Sequence, residues 1–267
     1  MPYISINNVN YFYQVYGDGP QTIVFSHGLL WSGQMFHKQV AHFKDHYRII
    51  TYDHRGQGQT DIAPDGYDMD TLYQDAVQLI ERLATGPVIF GGLSMGGFVG
   101  MRLAARRPDL VSKLILMETT ADPEPEQNRP RYRFLNTVVK WLGVAFVVKP
   151  VMKIMFGQKF LNDPARADER QYWIEQLKTN RPKGITRAVD GVIDRKGIAD
   201  ELHKVVCPTL ILVGDQDVAT VPEKSQKIKS LIPHAHLEII AGGGHTASIE
   251  EAEVYNFAIE RFLESNH

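Results

Sequence analysis

Short apolar runs recur along the chain, separated by longer stretches whose apolar positions return every three or four residues. Residues 11–16, 22–26, 47–52, 88–90, 114–117, 210–213 and 237–240 are short, mostly apolar and often β-branched. Runs of that length with little alternation suit strands buried on both faces of a parallel sheet. Helical spacing fills residues 69–83, 98–106 and 222–231 between them. Strand alternating with helix predicts an α/β fold, a mostly parallel central sheet flanked by helices.

The alternation lapses from about residue 120 to 202. Residues 132–148, 151–156, 164–178 and 184–193 there read as helices, and strand spacing resumes at Thr209. The expected organisation is a core of residues 1–120 and 205–267 with a helical insertion over 121–204. A closing amphipathic helix over 249–263 offers Val254, Phe257, Ile259 and Phe262 for burial.

Charge narrows the partners. The chain has 29 Lys and Arg against 31 Asp and Glu, a formal charge of −2. That balance gives no reason to expect nucleic acid or an anionic membrane. The most apolar region, 137–156, is broken by Lys140, Lys149, Pro150 and Lys153, whereas a span needs about 18 consecutive apolar residues. Cys207 is the only cysteine, so no intrachain disulfide can form. The first five residues lack the basic and apolar regions of a signal peptide. The expectation is a soluble, cytoplasmic protein, with assembly into a homo-oligomer left open.

The candidate chemistry begins at Gly92-Leu93-Ser94-Met95-Gly96, a G-x-S-x-G pattern between an expected strand and an expected helix. That context is the one a nucleophile elbow requires. Side chains at Gly92 or Gly96 would collide with adjacent backbone in so sharp a turn. A Ser hydroxyl needs a base to take its proton. His245 follows the last expected strand on a loop of three glycines, the place a base takes when the chain order is Ser, acid, His. The acid belongs between them, after another strand. Asp215 and Asp217 both follow the 210–213 run. Asp217 is preferred because it lies on the loop proper, while Asp215 is placed to cap the turn. Glu118 and Asp122, after the 114–117 run, are weaker alternatives. The acid would hold the imidazole in the accepting tautomer and stabilise the imidazolium. Oxyanion donors are expected from the N–H groups of Met95 and Leu29, with Gly28 allowing close approach and His27 bracing the loop. Trp31, Phe98, Trp141, Phe146 and Phe156 are candidate apolar walls for a substrate. No metal-ligand spacing and no G-x-G-x-x-G at a helix start is present, so no metal and no other cofactor is expected.

Together these segments resemble the α/β-hydrolase superfamily. His27-Gly28 looks like its oxyanion loop, and Asp53-His54-Arg55-Gly56-Gln57-Gly58 like its D-x-R-G-x-G turn. Residues 92–97, GLSMGG, are similar to the elbow of carboxylesterases, 3-oxoadipate enol-lactonases and meta-cleavage C–C hydrolases. Residues 214–222, GDQDVATVP, look like the acid loop, whose second acidic residue is the triad acid, and Gly244-His245 like the base loop. The insertion resembles a cap domain. The resemblance implies a serine hydrolase acting on a small-molecule ester or lactone through an acyl-enzyme. C–C bond hydrolase, thioesterase, perhydrolase and ligand-sensing receptor are alternatives on the same triad. Dehalogenases and epoxide hydrolases of this fold attack saturated carbon with an Asp at the elbow, and Ser94 argues against both.

Overall fold

The computed structural model describes residues 2–265. Eight strands form one sheet: β1 (Tyr3–Ile6), β2 (Val9–Tyr16), β3 (Thr22–Ser26), β4 (Arg48–Tyr52), β5 (Val88–Leu93), β6 (Val111–Met117), β7 (Thr209–Gly214) and β8 (His236–Ile240). Their order is β1-β2-β4-β3-β5-β6-β7-β8. The hairpin of β1 and β2 adds antiparallel strands at one edge, and the six strands from β3 to β8 run parallel. Every residue of β5 and β7 is buried, which is why these strands read as unbroken apolar runs. The edge strand β8 buries only Ile240 and exposes Ile239. β1 is the strand that apolar patterning does not reveal: three of its four residues are not buried.

Helices α1 (His37–Phe43), α2 (Met69–Leu83), α3 (Met95–Arg106), α9 (Pro222–Leu231), α10 (Ala247–Glu250) and α11 (Ala252–Glu264) accompany the strands. α4 (Arg129–Leu142), α5 (Val148–Met155), α6 (Gln158–Asn162), α7 (Ala167–Lys178) and α8 (Pro182–Ile193) lie in the insertion between β6 and β7. α2 packs on α3, and a short 3-10 turn at Ala199–Lys204 joins α3 to α9, while α1 packs on α11. The sheet thus carries helices on two sides, the layering that continuous apolar strands require. Boundaries follow local chemistry. Asp68 caps α2 by accepting from the N–H groups of Asp70 and Thr71 at 3.1 and 2.9 Å. Pro222 opens α9, where its missing N–H costs nothing.

Two expected helices are broken. The 132–148 pattern ends at Gly143, whose φ of +90° leaves the helical region, and resumes as α5. The 249–263 pattern breaks at Glu251 between α10 and α11. Ile259 and Phe262 are buried as expected, but Val254 and Phe257 point outward. Among the described residues no helix is long and apolar enough to cross a membrane.

The sheet order also fixes where a ligand can bind. The chain steps from β3 outward to β4, then crosses to β5 on the other side of β3. The loops leaving β3 and β5 therefore part in opposite directions and leave a crevice at their carboxyl ends.

Candidate active site

Both loops at that crevice carry candidate residues. Ser94 follows β5 directly, with φ +53° and ψ −109°, a conformation that L side chains rarely adopt. Neighbours hold it there: its N–H donates to Met117 O at 2.8 Å, and its carbonyl accepts from the Thr119 hydroxyl at 2.8 Å. The turn also needs two close approaches. A Cβ on Gly92 would lie 2.3 Å from Gly96 O, and one on Gly96 would lie 2.0 Å from Ser26 O. These are the two glycines of the five-residue pattern.

His245 lies on the loop 241–246 that follows Ile240, the last residue of β8. Its Nε2 lies 2.9 Å from Ser94 Oγ, and its Nδ1 lies 2.9 Å from Asp217 Oδ2. An ionised carboxylate only accepts, so Nδ1 carries the proton and Nε2 is left to accept from the serine hydroxyl. Asp217 and His245 are buried, at 2% and 4% exposure. Asp217 accepts N–H groups from Ala219 and Thr220 at 2.8 and 2.9 Å and the Thr220 hydroxyl at 2.7 Å. Burial by itself would raise its pKa. The charge of His245, then hydrogen bonds from His245 and Thr220, outweigh burial and hold the carboxyl below its ordinary range.

Asp215 does something else. Its exposed carboxylate accepts the N–H of Gly242 at 2.7 Å and so joins the two loops. Asp122 pairs with Lys224 and Lys227. Glu118 is fully buried, at φ +41°, with Tyr255 donating to its Oε2 at 2.9 Å. Burial, then the nearby Asp217 charge, push its pKa well up.

The loop after β3 packs against the serine: a Cβ on Gly28 would lie 3.4 Å from Ser94 Cβ. The N–H groups of Leu29 and Met95 take no protein acceptor among the described residues. His27 braces this loop. Its Nδ1–H donates to Gly28 O at 2.7 Å, while Nε2 accepts from His54 N–H at 2.8 Å. Burial pulls the His27 pKa down, keeping the ring neutral and both bonds in place. Gln57 accepts the N–H of Leu30, which stands at φ +74°. Gln57 belongs to the D-x-R-G-x-G turn, but no sequence signal marks it for that role.

Ser94 and His245 open onto a cavity of about 150 Å³. Leu135, Val139, Val151, Met155, Ile185 and Val189 from α4, α5 and α8 give it aliphatic walls. One buried ion pair interrupts them, Arg195 to Glu124 at 2.7 Å, with the guanidinium 4.5 Å above the Phe98 ring. The five aromatic candidates fare unevenly. Phe98 lines the cavity. Trp31 and Phe156 do not: they are buried in an aromatic cluster, with Trp31 5.4 Å from Trp173 and 6.0 Å from Phe156. Trp141 and Phe146 are corrected outright, being 76% and 67% exposed on the outer side of the insertion. α4 turns Tyr132, Leu135, Asn136 and Val139 inward, and Trp141 falls on the opposite side of the helix. Among the described residues no group of three or more His, Cys, Asp or Glu side chains is placed to hold a metal ion.

Residues 21–252 match the family model described as alpha/beta hydrolase fold. A Rhizobium rhizogenes protein provisionally named carbamate hydrolase RutD is 31% identical, over 94% of this chain and 97% of its own. The 3-oxoadipate enol-lactonase 2 of Acinetobacter baylyi is 25% identical, over 97% and 95%. A solved thermophilic esterase from Thermogutta terrifontis superposes with a TM-score of 0.90 at 25% identity, covering 98% and 97%.

Proposed function

The chain belongs to the alpha/beta hydrolase fold family, and from that premise we propose that it hydrolyses a carboxylic ester or lactone through an acyl-enzyme on Ser94. One observation carries the reading: an unbroken hydrogen-bonded chain from Ser94 Oγ through the His245 ring to Asp217, with both links at 2.9 Å. Relatives named as enol-lactonase and esterase support the bond type.

In this mechanism Ser94 Oγ attacks the carbonyl carbon as His245 Nε2 takes its proton. Asp217, held ionised, stabilises the resulting imidazolium. The N–H groups of Met95 and Leu29 hold the tetrahedral oxyanion, each contributing about 3 kcal/mol. Nε2–H then protonates the leaving oxygen. The same imidazole next removes a proton from water, which attacks the acyl-enzyme, and Nε2–H returns that proton to Ser94 Oγ as the acid is released. The helical insertion serves as a cap, and its aliphatic walls receive the apolar part of the substrate.

The test is release of p-nitrophenol from short-chain esters, run beside a panel of lactones, thioesters and carbamates. Ser94→Ala should remove turnover and leave the fold intact. A serine-reactive phosphonate should add to Ser94 alone. Turnover that survives Ser94→Ala, or a phosphonate adduct on another residue, would eliminate this nucleophile. Tight ligand binding without turnover would instead favour a receptor.

A further inference from the structure

The outer side of the insertion has a surface that the chemistry above does not use. Phe134, Trp141, Leu142 and Phe146 are 68%, 76%, 57% and 67% exposed. Phe134 and Trp141 stand seven residues apart on one side of α4, with half-buried Val138 between them. Leu142 ends α4 next to Trp141, and Phe146 follows in the short turn after the break at Gly143. Large apolar side chains grouped in this way mark an interaction site, unlike the single ones scattered over any surface.

Charge identifies the partner. Residues 129–162 contain seven cations, Arg129, Arg131, Arg133, Lys140, Lys149, Lys153 and Lys159, and no Asp or Glu. Arg131, Lys140, Lys149 and Lys153 are exposed and make no ion pair among the described residues. Beside the patch, a groove between α4 and α8 is lined by Arg133, Lys140, Lys183 and Arg187 with Asp190, and of these cations Arg133 is paired with Asp190 and Asp194. The near-neutral whole-chain sum hides this segregation.

We propose that this face of the insertion docks on an anionic lipid surface, Trp141, Phe146 and Phe134 entering the interface while the surrounding lysines and arginines meet headgroup phosphates. Aromatic side chains favour the boundary between headgroups and acyl chains. Each basic residue near such a surface adds about 1 kcal/mol, close to fivefold in partitioning. A second copy of the chain is a poorer occupant, because a two-fold contact sets this face against itself and brings like charges together. The same helices turn their inner sides to the cavity at Ser94, so the docked face lies directly behind the pocket wall. The docking proposal stands without the hydrolase reading, since binding is measured without turnover.

The tryptophans make the test specific. Trp31 and Trp173 are 4% and 1% exposed, leaving Trp141 as the exposed reporter. The protein is mixed with vesicles of equimolar phosphatidylcholine and phosphatidylglycerol, or of phosphatidylcholine alone. Cosedimentation is expected with the anionic vesicles, weakening as salt is raised. Tryptophan emission should shift to the blue and be quenched by brominated acyl chains. Trp141→Phe should abolish that quenching while cosedimentation persists. Lys140→Glu with Lys153→Glu should weaken binding more than twentyfold, with the far-ultraviolet dichroism unchanged. Absent or equal binding to the two vesicle types overturns the proposal. So does a blue shift on concentrating the protein without lipid, which assigns the face to a second copy. Oligonucleotide binding without vesicle binding overturns it in favour of nucleic acid.

Discussion

Glu250 allows a sharp prediction about stability against pH. Its carboxylate is buried five residues after His245. Oε2 accepts the N–H of Gly157 from the insertion at 2.8 Å, and Oε1 accepts the N–H of Gly244 at 3.1 Å. The Thr246 hydroxyl lies 3.1 Å from Oε1 and 2.9 Å from Met155 O. The guanidinium of Arg166 donates to the main-chain oxygen of Glu250, not to its carboxylate. Burial therefore dominates and lifts the Glu250 pKa from an ordinary 4.5 to about 7. The folded state then holds this proton more tightly than the unfolded chain. As pH rises from 4.5 to 7 the unfolded state releases the proton first, so stability falls across that window and is level above it. A rise of about 2.5 in pKa, at about 1.36 kcal/mol per pH unit, removes about 3 kcal/mol. Glu250→Gln cannot titrate. Its amide also turns a donor toward the N–H of Gly157 or Gly244, which costs about 1–3 kcal/mol at every pH. Urea unfolding of both proteins from pH 4.5 to 8 isolates the titrating part, because ionisable groups that do not sense the Glu250 charge cancel in the difference. The variant should be the less stable at pH 4.5, and the gap should close or reverse by pH 8. Curves that stay parallel within about 1 kcal/mol would refute the assignment of a raised pKa to this carboxyl.

Two further outcomes follow from the site's geometry. Asp217→Asn should cut kcat on p-nitrophenyl esters by about 10⁴-fold, whereas Asp215→Asn, whose amide oxygen can still accept the Gly242 N–H, should change it by less than about fivefold; the opposite ranking in steady-state kinetics would move the acid by two positions. Gly96→Ala sets a methyl 2.0 Å from Ser26 O; the surrounding backbone must shift, so thermal unfolding should show a loss above about 3 kcal/mol, and a wild-type melting temperature would contradict so close an approach at the elbow.

The parts of the site legible in the sequence are those that backbone sterics or chain order dictate. Gly92 and Gly96 are obligatory at a tight strand-to-helix turn, and a strand must precede each candidate loop. Chain order alone does not separate Asp215 from Asp217, because both follow the same strand. Two residues of further turn separate a carboxylate on Gly242 N–H from one on the imidazole. The pocket is not legible. Which side of α4 faces inward depends on its packing against α8, where Asn136 Nδ2 donates to Thr186 O at 2.9 Å. Local pattern carries no trace of that contact, and the aromatic residues that look suited to a wall go, Phe98 apart, to a core cluster or to the surface. Glu250 is equally hidden, since its partners Gly157 and Gly244 lie far apart in the chain and meet only when the insertion folds over the β8 loop.

Three buried carboxyls, Asp217, Glu118 and Glu250, are treated in different ways. Asp217 receives two backbone N–H groups, a hydroxyl and the imidazole, enough to outweigh burial. Glu118 receives the Tyr255 hydroxyl on Oε2, and its Oε1 has no partner among the described residues, so burial prevails and favours the neutral acid. Glu250 lies between these limits, its donors only partly offsetting burial. An ionised Glu118 would place a second negative charge next to Asp217, and their repulsion is among the causes that hold the Glu118 proton on. Between Asp217 and Glu118, charge is thereby confined to the carboxylate in contact with Nδ1, which holds the ring. The pair of environments separates the pKa values of neighbouring acids.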